Sequence, residues 1–463
     1  MNLGDVMSIG RNGLNAASHG SQVSSQNISN ATTPGYSRRV ANLEPVPLDQ
    51  GGGVRATSTT RVNDQFLERR GLSARAYTGE GEGRVRTLAV LDTVFSDGQG
   101  SVGEALDAFD SAMTDVANEP NSTTARQMLL ARADSLAQAF HRADEAMSTA
   151  RSEANGRITT VIKDVNKQLD EIGDLNAQIV AGTNVRQDVG DLQDRRDELI
   201  RSVATQMPVT VLAEGNGSVT LMLSGARTLV GSDAQVHHLV TGMDSTSGAV
   251  TVQRMTNGQL EDITSYFTTG NIGGTIAARD GALADAQKNL DQLAFDITSA
   301  YNTQHAAGVG LDGVTARNFF NPTATAAGAA VGFALSADVA GQPQNIAAAQ
   351  ATTSLPGDNR NALALVGLRD KLIGLNGTAT AQQAFSSMVA GGGAAARSAA
   401  DQLDHASAYL SQVEALRDAA AGVSTDEEMM NLMKFQRAYQ ASLRVIETAD
   451  SMLSQLLNMR FGG

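Results

Sequence analysis

Two residue types are missing outright: the 463-residue chain has no cysteine and no tryptophan. Without cysteine there is no disulfide and no thiolate metal site. The same absence suits a protein that ends up outside the cell, where free thiols are trapped by oxidation. Aromatic residues make up only 4% and charged residues 18%, while hydrophobic residues reach 41%. A core of leucine, valine, isoleucine and alanine fits packed helices and small β-domains better than an aromatic-lined ligand pocket. No stretch approaches the roughly 18 apolar residues of a membrane-spanning helix. The first residues, MNLGDVMSIGRNGLNAAS, lack the basic start and apolar block of a cleaved secretory signal. Positive charge is also short. A net charge of −14 and a pI near 4.9 argue against nucleic acid and against an anionic membrane as partners.

Catalytic constellations are missing as well. GVGLDG (308–313) spells G-x-G-x-x-G, but a helical pattern precedes it where the dinucleotide fingerprint needs a strand. Gly308 reads instead as a helix C-cap and Asp312-Gly313 as a turn. His237 and His238 are adjacent in a β-like run, so they point to opposite faces and do not share a metal. His305 ends a helix and reads as a surface or capping residue. Asp191, Asp194, Asp197 and Glu198 interleave with Arg195 and Arg196 at helical-neighbour spacing, which predicts a solvated ion-pair face rather than an acid–base pair. There is no Walker A loop, H-E-x-x-H or G-x-S-x-G elbow. No catalytic residue, cofactor or metal is expected, and the chain is not expected to be an enzyme.

What is there is a series of helices with a β interlude. Residues 1–30 form a weak amphipathic helix. Leu3, Met7, Leu14, Ala17 and Ile28 fall on 3-4 spacing, with Gly10, Ser21 and Ser24 diluting the stripe. Such a helix is marginal alone in water. Pro34-Gly35 ends it, and residues 40–62, with Pro45, Pro47 and glycines at 51–53, read as extended segments and turns. Residues 63–205 are mostly helical. Pro120 breaks the pattern, Asn121 or Ser122 can cap the next helix, and that helix runs to about residue 181 with an interruption at Asn155-Gly156. DVGDLQDRRDELIRSVATQM (188–207) adds another. From Pro208 short β-like runs predict a small, mostly antiparallel β-domain over 208–270. Helix returns over 276–305. Residues 310–400 are rich in alanine and glycine and are expected in part to extend the β-domain. AGGGAAARSAA (390–400) reads as a flexible connection before a helix over 398–421.

The C-terminal segment has the clearest pattern. Thr425, Asp426, Glu427 and Glu428 predict a capping box, with Thr425 bonding the third helical amide and Glu428 reaching back. Leu432, Phe435, Tyr439, Ile446, Ala449, Leu453 and Leu456 then follow heptad-like spacing in a helix about 54 Å long. Both ends of the chain are thus amphipathic helices. Pairing them, with each other or with neighbouring subunits, is the simplest way to bury both stripes: Leu3, Met7 and Leu14 would meet Leu432, Tyr439, Ile446 and Leu453. The expected fold is multidomain α+β. N- and C-terminal helices pair as a coiled-coil-like terminal domain (1–35 with 425–463). A long-helix bundle with extended segments follows (36–205 with 276–306 and 398–424). A small, mostly antiparallel β-domain lies outermost (206–275 with roughly 307–397).

SQNISNATTPGYSRR (25–39) resembles the N-terminal signature of the flagellar axial proteins, the rod, hook and hook-associated family. There an Asn-rich helix end is followed by Thr, Gly and Tyr; the matching residues are Asn27, Ile28, Asn30, Thr33, Gly35 and Tyr36. FQRAYQASLRVIETADSMLSQLLNMR (435–460) resembles the partner helix of the same proteins. Between them, 191–230 and 271–313 are similar to the hook-associated members, through the Asp-Arg-Arg-Asp core at 194–197, the Arg279-Asp280 pair and a helix ending in Asn302, Gln304 and His305. DEEMMNLMKFQRAYQ (426–440) fits too. Residues 320–400 lie outside the resemblance.

The resemblance implies a structural subunit joining hook to filament, assembled with copies of itself in a ring at the distal end of the hook. The hook protein would lie below it, and a second junction protein and the flagellin filament above. It implies export without a cleaved signal through the flagellar type III apparatus, an export chaperone before secretion, and an extracellular place on the flagellum. The self-assembly interface expected is Leu3, Met7, Leu14, Ile28, Leu432, Phe435, Tyr439, Ile446, Leu453 and Leu456. A hook or distal-rod protein with the same ends is the alternative. A fused peptidoglycan hydrolase would need a glutamate- or cysteine-based cluster in 310–400, where Asp338, Asp358 and Asp370 are scattered and glutamate is absent.

Overall fold

Helix starts follow the capping side chains. Asp64, Ser101 and Ser122 accept hydrogen bonds from first-turn amides of α2 (Gln65–Val94), α3 (Val102–Asn118) and α4 (Thr123–Asn184), satisfying donors that a helix leaves unpaired. The computed structural model describes residues 3–461 apart from 34, 96–99, 186 and 257, so Pro34 of the expected turn lies outside the described residues. Before α2 come α1 (Leu3–Ser29) and an antiparallel hairpin of β1 (Arg39–Pro45) and β2 (Val54–Arg61). α4 has 62 residues, about 93 Å at 1.5 Å per residue. The interruption expected at Asn155-Gly156 does not occur. Asn155 instead ties α4 to a sheet: its Oδ1 accepts from the Val250 amide at 3.1 Å and from Arg279 at 2.7 Å.

α5 (Gly190–Gln206) leads into two three-stranded antiparallel sheets. One holds β3 (Val209–Ala213), β4 (Val219–Leu223) and β5 (Arg227–Val230). The other holds β6 (Leu239–Met243), β7 (Val250–Thr256) and β8 (Gln259–Asp262). Alternation turns Val219, Leu221 and Leu223 inward. With Val252 and Ile263 they pack on Ile158, Ile162, Leu169 and Ile172 of α4 and on Val203 of α5.

The helix expected over 276–305 is two helices, α6 (Gly270–Asp280) and α7 (Ala282–Ala306), parted at Gly281. α6 crosses α2 at very short range. A Cβ on Gly83 of α2 would collide with the carbonyl of Asn271, and one on Gly274 of α6 with that of Glu80. A mid-helix glycine costs about 1 kcal/mol against alanine, and close crossing is what it permits here.

Residues 307–397 depart from expectation. They form no β-strand among the described residues; they hold isolated bridges, short 3-10 turns, α8 (Arg360–Val366) and the start of α9 (Ala381–Ala421). Side chains of α7 supply the partners that a sheet would have given. Asn302 accepts from the Phe319 and Phe320 amides at 2.9 and 2.8 Å, and Asp291 accepts from those of Gly328 and Ala330. With its backbone satisfied this way, the segment buries Phe319, Phe320 and Phe333 against Phe109, Phe140 and Tyr301. The Phe320–Phe333 and Phe109–Tyr301 centroids lie 4.5 and 5.1 Å apart. This second core takes the N-terminal half of α4, α3 and α7. The segment therefore belongs with the helices, and the sheets sit on the other half of α4. The flexible connection expected at 390–400 is helical, within α9, where Gly392 lets the Phe95 ring approach.

His305 is buried, not a surface cap. Its Nδ1 bonds the Arg317 carbonyl at 2.8 Å and its Nε2 accepts the Ala347 amide at 2.9 Å, an arrangement that requires the neutral ring. Burial holds its pKa below the ordinary value.

Asp110 of α3 lies in the aromatic core and accepts from the Tyr301 hydroxyl at 2.9 Å. Burial pushes its pKa up to about 6, against the pull of that hydrogen bond. The folded state therefore binds this proton more tightly than the unfolded chain. The ionised group costs stability above about pH 6, and the cost fades as pH falls toward the ordinary aspartate value. We expect Asp110→Asn to melt above wild type near pH 7.5 in calorimetry, with the gap narrowing near pH 5. A gap that ignores pH would contradict this.

Candidate functional site: the terminal helix pair and its joint

α1 pairs with α10 (Thr425–Phe461). The α1 seam consists of small residues on 3-4 spacing: Gly10, Gly13, Ala17, Gly20, Ser24 and Asn27. All but the half-buried Gly13 are buried. A Cβ on Gly10 would fall 2.7 Å from Ile446 Cγ1, one on Gly13 2.7 Å from Ser442 Oγ, and one on Gly20 inside contact with the Phe435 ring. Ascending numbers on α1 meet descending numbers on α10, so the pair is antiparallel. The glycines read in the sequence as dilution are the contact surface.

α10 supplies the large side of the seam. Leu432, Phe435, Tyr439 and Ile446 are half-buried and Ala449 is buried, as the heptad spacing predicts. Leu3, Met7, Leu14 and Ile28 are also half-buried but flank the glycine seam. The register that sets Gly10 against Ile446 carries Leu453 and Leu456 to the free end of α1, where they are 39% and 58% exposed. Met429, Met430, Met433, Leu443, Val445 and Met452 of α10 are exposed as well.

The residues after α1 form the joint to the body. Asn27, in the last turn, is fully buried. Its Nδ2 donates to the Arg39 carbonyl at 2.8 Å, and its Oδ1 accepts the Arg39 amide at 3.0 Å and the Tyr36 hydroxyl at 2.8 Å. Thr33 donates to Asn30 Oδ1, and Asn30 Nδ2 donates back to the Gln26 carbonyl. Gly35 sits at φ +80°, the left-handed region that glycine adopts without strain. The motif Asn27, Asn30, Thr33, Gly35 and Tyr36 is thus a turn that ends α1 and clamps β1.

Two arginines just beyond it, Arg38 and Arg39, were not singled out in the sequence, and they hold the joint. Arg39 is buried and its guanidinium pairs with Asp191 and Asp194 of α5, the latter at 3.2 Å. The guanidinium also lies over the Tyr36 ring, 5.1 Å from its centroid. Arg38 pairs with Glu428 of α10 at 2.8 Å and with Glu427 at 3.3 Å. Arg61 reaches Asp197 at 2.7 Å and Asp194 at 3.1 Å.

Two expectations are corrected here. The acidic and basic cluster of α5 is solvated on one side only. Asp191, Arg195 and Glu198 keep exposed side chains, but Asp194 and Arg196 are buried. Burial raises the Asp194 pKa against the pull of Arg61 and Arg39. The cluster is the receptor for arginines from the hairpin. Nor does Thr425 open a capping box. Ser424 caps α10, accepting the Glu427 amide at 3.4 Å, because Glu428 is buried against Arg38.

Among the described residues no cluster of three or more histidines and carboxylates is placed to hold a metal, and no helix is long and apolar enough to cross a membrane.

The family model of the flagellar hook-associated protein FlgK helical domain matches residues 88–320, just over half of the chain. The chain belongs to the flagellar hook-associated protein FlgK family. A model of the C-terminal part of flagellar basal body rod FlgEFG proteins matches residues 418–459. Flagellar hook-associated protein 1 of Bacillus subtilis is 25% identical over 98% of both chains. The protein of the same name from Salmonella typhimurium is 27% identical over 67% of this chain and 58% of its own. The solved structure of the flagellar hook junction protein FlgK from Burkholderia pseudomallei has the same fold, with a TM-score of 0.68 at 17% identity, covering 76% of this chain and 99% of that one. Membership in the FlgK family makes the chain a structural protein of the flagellum, not an enzyme. Arg38 and Arg39 lie outside both matched stretches.

Gly10→Leu tests the seam. We expect loss of helical circular dichroism from the 27-residue α1, which cannot persist unpaired, with the melting of the body unchanged. Full retention of α1 helicity would contradict the glycine contact.

Proposed function

We propose that this chain is a subunit of the hook–filament junction, assembled through its paired terminal helices. The observation that carries the reading is the apolar surface α10 keeps after pairing, from Met430 (60% exposed) to Leu456 (58% exposed). A helix apolar beyond the face it buries belongs against further protein. Residues 1–35 with 425–463 act as the assembly unit. Leu3, Met7, Leu14 and Ile28 would be covered with Leu453 and Leu456 when copies assemble in a ring. Contacts between successive copies are heterologous, so no two-fold axis is needed. The hook protein lies below, and the second junction protein and filament above. The chain reaches this place by the flagellar export route and its chaperone.

The rod-type match at 418–459 favours a hook or distal-rod protein for the last helix alone. The match over 88–320 favours the junction for the body. Electron microscopy of a deletion strain separates the two: hooks without filaments support the junction, and missing hooks support the rod reading.

Leu453→Asp tests the interface. Because the side chain is already 39% exposed, we expect melting to shift by no more than about 0.5 kcal/mol. Incorporation into flagella, followed by immunogold labelling, should be lost. Normal labelling at the hook tip would refute the assignment.

A further inference from the structure

The two ends of the chain leave the body at two places, residues 30–38 and 422–424. An open cleft of about 1490 Å³ separates the terminal helix and hairpin from the β3 sheet, with His19 and Gln22 of α1, Thr57 of β2 and Leu212 of β3 on its walls. Apolar packing therefore does not fix the angle of the terminal pair on that side. Polar contacts do: Arg61 of β2 reaches Asp194 and Asp197 of α5, and contacts to both terminal helices meet at two adjacent residues, Arg38 and Arg39.

We propose that Arg38 and Arg39 are positioning residues, an orientation lock that holds the α1–α10 pair at one angle to the body. The backbone of Arg38 donates to the carbonyl of Ala421, the last residue of α9, and accepts the amide of Val62 after β2. Its side chain holds Glu428 of α10, a carboxylate only 3% exposed. The backbone of Arg39 is clamped from both sides by Asn27 of α1, and its side chain holds α5. One peptide bond thus ties both terminal helices, the end of α9, the hairpin and α5. A guanidinium paired through directional hydrogen bonds fixes orientation as well as distance. Presenting the apolar face of α10 at a set angle is what assembly would use, and that last step rests on the reading under Proposed function.

The absence of cysteine makes the test direct. Asn15→Cys on α1 and Gln178→Cys on α4, both at exposed positions, take nitroxide labels in the full free chain, and pulsed electron paramagnetic resonance reads the distance between them. The lock gives a single narrow distance. Arg38→Glu and the milder Glu428→Gln should each lose it, with body melting unchanged. Arg38→Glu combined with Glu428→Arg should restore it. A narrow distance in Arg38→Glu, or a broad one that the charge swap fails to restore, would overturn the lock. Because the readout uses unassembled protein, this failure is distinct from a failure of the assembly reading, which shows as normal flagellar incorporation of Leu453→Asp.

Discussion

A buried guanidinium must be paired, and the structure is organised around that demand at Arg39. Only 4% of this residue is exposed, and a charge so far out of water is costly unless it is paired and hydrogen-bonded. Satisfying it fixes the register of its neighbours. Asn27 must hold its backbone, so α1 ends where it does. Asp194 must face it, so that carboxylate of α5 turns inward. Tyr36 lies under it and hydrogen-bonds Asn27. The joint between the terminal helices and the body follows from one charge taken out of water.

The two terminal helices divide their work by residue size. α1 gives up large side chains along its seam, and so lets Phe435 and Ile446 sit against its backbone. The cost is a helix with little stability of its own. α10 is apolar beyond that seam, so pairing leaves methionines and leucines in water. Methionine suits a surface that must fit several neighbours, because its flexible thioether adapts to irregular gaps. Behind the joint, α4 runs through both cores of the body, the sheets on one half and the aromatic cluster on the other.

Much of this was legible in the sequence where large apolar residues set the period. The α10 stripe and the strands after Pro208 are examples. Ser122, one of the two caps read after Pro120, marks a helix start that structure and sequence share. The α1 seam was not legible as a contact, because glycine and serine look like dilution until the partner's large side chains are known. The α5 cluster looked solvated because its partners, Arg39 and Arg61, are more than 130 residues away in the chain. Glu428 looked like a cap for the same reason, since its partner Arg38 is 390 residues distant. Residues 307–359 have no period to read, because turns, isolated bridges and side chains of α7 satisfy their backbone instead of a regular ladder.

If one buried joint holds both ends of the chain, the terminal helices and the Arg38–Arg39 segment form one cooperative unit. Native-state hydrogen exchange of the full chain, followed by mass spectrometry, reads this out. Peptides covering 10–29, 36–42 and 428–450 should open together, at lower free energy than peptides from 129–140 and 290–301 in the body. Exchange of 10–29 that is independent of 36–42 would contradict it.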